Sequence, residues 1–149
     1  MTIPQSEIDP GLATSLRISV SRLARRMRAE RVAQGLQPEL SDTQLAALAA
    51  LEKHAGMTPG ELAEHEKVQP PSMTRVVAAL EGRGLVRRAP HPTDRRQAVL
   101  TVTDQGREFV RQVRQLREAW LARQLQELTP GERAVLQEAI PLLTRLGQS

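Results

Sequence analysis

Apolar residues recur at helical spacing along most of this chain, and the pattern turns extended at one place, just after Gly84. Leu85-Val86-Arg87-Arg88 reads as a short strand. Ala98 to Val102, rich in β-formers and with Leu100 and Val102 on one face, reads as a second. One hairpin in an otherwise helical pattern confines the chain to a mainly α class. The side chains agree: Phe109 and Trp120 are the only aromatic residues, so Leu, Val, Ile and Ala must fill the interior. The same scarcity argues against a single-strand nucleic-acid platform of stacked rings.

The helical stretches carry their own start and stop signals. Residues 1–10, with Pro4 and Pro10 and no periodicity, read as a loose arm. Leu12, Leu16, Val20, Leu23 and Met27 mark an amphipathic helix over residues 11–33, closed by Gly35 and Pro38. Ser41 caps a second helix, with Gln44 completing a capping box, Leu45, Leu48 and Leu51 as its stripe and Gly56 at its end. Thr58-Pro59-Gly60-Glu61 starts a short third helix with a capping Thr, Pro at the first helical position and Glu three after the cap. A turn over residues 67–69 leads to Pro70-Pro71 and a fourth helix to about Arg83. Thr103 caps a helix running to about Leu128, and Thr129-Pro130-Gly131-Glu132 opens the last one. Pro141 inside that helix removes one backbone hydrogen bond, and a bend is expected there.

Two short helices joined by a tight turn behind a longer one have the pattern of a helix-turn-helix; a plain helical hairpin would show a similar turn. The two strands that follow, joined by the proline-stiffened basic loop of residues 89–97, complete a winged helix-turn-helix.

Charge placement points the same way. The formal charge of +4 is nearly all arginine on its basic side, Lys53 and Lys67 being the only lysines. Residues 70–99 hold six arginines against Glu81 and Asp94, so this stretch alone equals the net charge. A second block over residues 17–31 has six arginines against Glu30 and is balanced by acidic surroundings. A GC-rich genome would produce the same arginine bias, and most charge runs are solvated faces. Two localised patches nevertheless favour a polyanion partner. There is no cysteine, hence no disulfide, thiolate metal site or thiol nucleophile. The longest apolar run, residues 45–51, is too short for a membrane span or signal peptide, so a soluble cytoplasmic protein with no membrane partner is expected.

With Met73, Val76, Val77 and Leu80 turned to the core, the fourth helix presents Pro71, Arg75, Ala78 and Gly82 on its opposite face, flanked by Ser72, Thr74 and Ala79. One long cationic fork among small side chains suits entry into a major groove. There Arg75 would read guanine, and Ala78 or the Thr74 methyl would touch thymine methyls. The helix N-terminus offers backbone N–H groups to a phosphate. In the loop, Asp94 is placed to hold a guanidinium or the loop itself, and Arg95 or Arg96 to enter a minor groove. The plain alternative for both faces is solvated charge.

Nothing in the sequence points to catalysis. His54, His65 and His91 form no metalloprotease motif, and no G-x-S-x-G or Walker lysine is present. Glu61 and His65 share a helix face as two potential metal ligands, but with no clear third a solvated face is the simpler reading. No enzyme, metal or cofactor is therefore expected.

Ser72-Met73-Thr74-Arg75-Val76-Val77, Leu80-Glu81 and Gly84-Leu85-Val86-Arg87-Arg88 resemble the MarR family of bacterial winged-helix regulators. Pro92-Thr93-Asp94-Arg95-Arg96, then Leu100-Thr101-Val102-Thr103-Asp104-Gln105-Gly106, look like that family's D-x-R wing and L-T-x-x-G helix start. His91 departs from the pattern, which often has Asp there. The resemblance extends over residues 12–146. It implies one domain over 1–149, with residues 41–103 as the winged-helix DNA-binding region and residues 11–33 and 104–147 as terminal dimerisation helices. It also implies a homodimer placing two recognition helices in successive major grooves of a pseudo-palindrome. The stripes Leu12–Met27, Phe109–Trp120 and Val135–Leu146 support a partner surface independently, since together they exceed what one small winged-helix core buries.

The family often senses small aromatic ligands. Without cysteine the thiol-oxidation branch is closed, and the sequence locates no pocket; Arg17 and Arg22 offer a place for an anionic effector, with ordinary surface or DNA-side roles as the simpler reading. The expected function is a sequence-specific double-stranded DNA-binding regulator, a repressor released by a small aromatic or anionic ligand. The alternative is a ligand-independent architectural or nucleoid protein. A helical adaptor for proteins would leave the arginines of residues 70–99 without a purpose.

Overall fold

A computed structural model describes residues 9–149; the loose arm expected over residues 1–10 lies almost wholly outside the described residues. The elements in chain order are α1 (Pro10–Ala33), α2 (Asp42–Lys53), α3 (Pro59–Glu66), α4 (Pro70–Gly82), β1 (Val86–Pro90), β2 (Ala98–Val102), α5 (Asp104–Gln126) and α6 (Pro130–Gln148). The chain is a winged helix-turn-helix with flanking helices, as the periodicity predicts.

The residues form two compact units. One is Gly35–Gln115; the other joins the segment ending at Gln34 to Leu116–Ser149, so α5 contributes residues to each.

In the Gly35–Gln115 unit the core is aliphatic. Leu48, Leu62, Met73, Val77, Leu80, Leu85 and Leu100 are fully buried, and Phe109, Val110 and Val113 of α5 join them. Helix starts follow the capping signals. Ser41 Oγ accepts the Gln44 N–H at 3.2 Å while Gln44 Oε1 accepts the Ser41 N–H at 3.1 Å. Thr58 and Glu61 form the same reciprocal pair, each bond 3.2 Å. Such caps contribute about 1 kcal/mol each by satisfying amides that have no partner within the helix. Lys67 ends α3 in the left-handed region at φ 54°, and Val68 N–H returns to the Ala63 carbonyl at 3.0 Å, which makes the turn tight.

The strands pair antiparallel with Val86 opposite Val102, Arg88 opposite Leu100 and Pro90 opposite Ala98. Ala89 and Pro90, assigned to the loop from sequence, therefore belong to β1, where the fixed φ of proline suits extended chain at a strand end. Met57 adds a residue of pairing on the other side: its N–H donates to the Leu100 carbonyl at 3.2 Å, and the Leu100 N–H returns at 2.7 Å.

Leu85 ties the wing to its neighbours. Its N–H donates to the Leu80 carbonyl at 3.1 Å, and its carbonyl accepts the Thr103 N–H at 3.0 Å. Thr103 Oγ1 donates to the Gly84 carbonyl at 2.7 Å and accepts the Gly106 N–H at 3.1 Å, which starts α5. Gly106 packs so closely that a Cβ there would lie 2.2 Å from the Leu85 carbonyl oxygen and 2.8 Å from Val102 Cγ1.

In the other unit, Glu30 of α1 pairs with Arg123 of α5 at 3.7 Å. The Arg26 guanidinium lies 5.9 Å from the centroid of the buried Trp120 ring. Arg133 Nη1 donates to the carbonyls of Leu125 at 3.2 Å and Leu128 at 2.9 Å, closing the end of α5. α6 runs continuously through Pro141 and contains no buried residue. Val135, Ile140 and Leu146 are 66%, 58% and 63% exposed, and Leu12 of α1 is 61% exposed. No helix among the described residues is long and apolar enough to cross a membrane.

Gly106→Ala is expected to lower unfolding stability by about 3 kcal/mol, because the obstruction is backbone and cannot rotate away. Urea denaturation of the two proteins measures it, and an unchanged midpoint would refute the close contact.

Candidate nucleic-acid interface

The outer face of α4 is set by what its inner face buries. Met73, Val76, Val77 and Leu80 enter the core, which leaves Pro71, Ser72, Thr74, Arg75, Ala78 and Gly82 exposed. Thr74 Oγ1 donates to the Pro70 carbonyl at 3.0 Å, a back-bond that fixes its rotamer. No side chain caps the helix. Pro70 and Pro71 have no N–H and Met73 donates to the Gln69 carbonyl at 3.0 Å, so Ser72 supplies the one first-turn amide available to an anion. That is fewer amide donors than the sequence reading of this N-terminus expects.

The six arginines of residues 70–99 divide into two groups. Arg83 donates to the Glu39 carbonyl, Arg88 Nε meets Glu81 Oε1 at 2.7 Å, and Arg87 Nε reaches Thr101 Oγ1 at 3.4 Å. These three brace the hairpin and the end of α4. Arg75 and Arg95 are exposed and make no ion pair with a described residue. Arg96 is 95% exposed, its Nε a loose 3.8 Å from Asp94 Oδ1.

Asp94 acts mainly on the backbone of its own loop. Its Oδ1 accepts the Arg96 N–H at 3.0 Å and its Oδ2 accepts Gln97 Nε2 at 3.3 Å. His91, which the sequence suggests is a loop residue near phosphate, is built into the same turn: Nδ1 accepts the Thr93 N–H at 3.2 Å and the Asp94 N–H at 3.0 Å. Sequence reasoning missed this contact, and the histidine's position two and three residues before those amides was its only trace.

The remaining polar candidates are spoken for locally. Glu61 is turned back on its own cap, and His65 stands edge-on to His54 with ring centroids 5.0 Å apart and 3.6 Å from Glu66.

A family model described as the MarR family matches residues 40–98, which span α2 to the start of β2. An HTH-type transcriptional regulator of Mycobacterium tuberculosis (strain CDC 1551 / Oshkosh), MT0903.1, is 43% identical over 93% of this chain and 94% of its own length. The chain belongs to the MarR family. The HTH-type transcriptional repressor MdtR of Bacillus subtilis (strain 168) is 31% identical over 93% of this chain and 87% of its own. The crystal structure of RV1404 from Mycobacterium tuberculosis superposes with a TM-score of 0.84 at 32% identity, covering 97% of both chains. The protein is thus a MarR-family DNA-binding transcriptional regulator of the helix-turn-helix type. In family terms, α3 and α4 are the helix-turn-helix and β1–β2 the wing.

Asp94→Ala should free the Arg96 amide while the rest of the unit stays folded. Loss of a charge-assisted hydrogen bond of about 1–2 kcal/mol corresponds to roughly tenfold faster exchange of that amide. Hydrogen exchange followed by NMR reads it, and unchanged protection at Arg96 would show that Asp94 does not hold the loop.

Proposed function

We propose that the protein is a repressor that binds a pseudo-palindromic operator as a homodimer, acts in the cytoplasm and is released by a small aromatic or anionic ligand. The single observation that carries the DNA contact is the pattern of charge use. Of six arginines in the winged-helix stretch, three brace the fold, while Arg75 stands alone among small residues and Arg95 and Arg96 project from the wing. Arg75 reads guanine edges from the major groove, with Thr74 and Ala78 against neighbouring methyl groups and Pro71 and Ser72 near the backbone. Arg95 and Arg96 reach the adjacent minor groove, held by Asp94. A fork with no internal partner turns toward DNA without breaking an ion pair within the fold, so only its rotamer entropy opposes the contact.

The homodimer rests on the aliphatic rows of α1 and α6, which are too large and too continuous for a free surface. On α6, Val135, Leu142, Leu143 and Leu146 fall on one stripe at 100° per residue. Two-fold symmetry then sets half-sites about one DNA turn apart. The name of MdtR supports the repressor reading. For the effector, Arg17 and Arg22 on α1 are exposed and make no ion pair with a described residue, which suits an anion.

Fluorescence anisotropy with DNA from upstream of the protein's own gene, against a shuffled duplex across a salt series, tests the sequence-specific DNA binding. A preference of about 10³ or more at physiological salt is expected. Equal, steeply salt-dependent binding to both would point instead to an architectural role. Arg75→Ala should cut the discrimination by about 1–3 kcal/mol, and an unchanged ratio would remove Arg75 from base readout. Leu142→Glu with Leu146→Glu should convert the dimer to a folded monomer, since neither side chain is buried within one chain. Light scattering that still finds a dimer would overturn the placement of the interface on α6.

A further inference from the structure

We infer that His91 is a positioning residue of the wing, a neutral hydrogen-bond acceptor that folds the tip so that Arg95 and Arg96 face DNA. The inference rests on the reading above that these two arginines contact the duplex.

The loop between the strands is closed by two backbone bonds, His91 N–H to the Gln97 carbonyl at 3.3 Å and Gln97 N–H to the Asp94 carbonyl at 3.1 Å. Two side chains order what lies between. His91 Nδ1 takes the amides of Thr93 and Asp94, with Thr93 Oγ1 also 3.4 Å away. Asp94 then takes the amide of Arg96 and the Gln97 side chain. The contacts run in series: Asp94 directs its carboxylate at Arg96 from a backbone position that His91 fixes.

Backbone amides only donate, so Nδ1 must present its lone pair, and the ring proton belongs on Nε2. An acceptor at this position is a geometric requirement, and a carboxylate or amide oxygen two or three residues before the same amides meets it as well. What the imidazole adds is that it accepts without negative charge. The loop therefore keeps two arginines against one aspartate, an excess that an acidic residue at position 91 would cancel.

The experiment uses the full chain and an A·T-rich duplex, with Kd and its salt dependence read by anisotropy for His91→Ala, His91→Asn, His91→Asp and the double variant Arg95→Ala/Arg96→Ala. Withdrawal of about one arginine charge from the duplex predicts that His91→Ala raises Kd about tenfold near 0.1 M salt and lowers the salt slope by about 1. His91→Asn should restore both, because its oxygen accepts the same amides. His91→Asp should restore the order of the Thr93 and Asp94 amides in NMR spectra yet bind more weakly than His91→Asn. In the double-variant background His91→Ala should have no further effect, a result that a general loss of stability would not give. Long-range nitrogen spectra of the wild-type imidazole should show the Nε2–H tautomer.

Wild-type binding by His91→Ala, no recovery with His91→Asn, or an Nδ1–H tautomer would each overturn the inference. If the double arginine variant binds like wild type, the wing reading falls and takes this one with it. If that variant is weakened and His91→Ala is not, only the role of His91 falls.

Discussion

The backbone of Leu85 holds the DNA-binding unit together. Its amide closes the end of α4, its carbonyl receives the first residue before α5, and its side chain is fully buried between them. A strand and two helices thus meet at one residue, and the close approach of Gly106 leaves no room for that junction to shift. The base of the wing is pinned at the spot where α4 stops. The start of the wing is accordingly fixed to the end of α4 by packing and backbone hydrogen bonds.

Around that junction the fold uses an aliphatic core with Phe109 as its only ring. Branched and unbranched aliphatic chains fill helical interfaces well, and here they do so with few large side chains. The corollary appears on α1 and α6, where the same residue types stand exposed in rows. A chain with so much aliphatic surface left over after folding has divided its hydrophobic residues between two places, an internal core completed alone and exposed rows that the proposed homodimer would cover.

How much of this was legible in the sequence depended on range. Helix starts at Ser41, Thr58 and Thr129 were readable because a capping box is a four-residue signal. The exposed face of α4 was readable because its period is fixed once Met73, Val77 and Leu80 are assigned to the core. The pairing of Met57 with Leu100 was not readable, since one residue of antiparallel bridge has no pattern to reveal it. Nor was the division of labour among the arginines. Arg83 finds its acceptor 44 residues earlier in the chain, and only the folded molecule brings Glu39 there. The role of His91 was hidden for a related reason, because ring acceptors have no turn preference as strong as that of aspartate or asparagine. Ala89 and Pro90 carry no strand signal, because proline marks loops more often than strand ends.

The basic face described here contains arginine and no lysine: none occurs in residues 70–99, and the two in the chain are Lys53 and Lys67. Guanidinium groups stay charged at any pH a cell reaches. Lysine acetylation, the enzymatic modification that would erase a cationic contact, has no substrate on this surface. The cationic charge of residues 70–99 is therefore insensitive both to cellular pH and to lysine acetylation. In the proposed homodimer, release from DNA comes through geometry, by altering how two such faces are held with respect to the duplex.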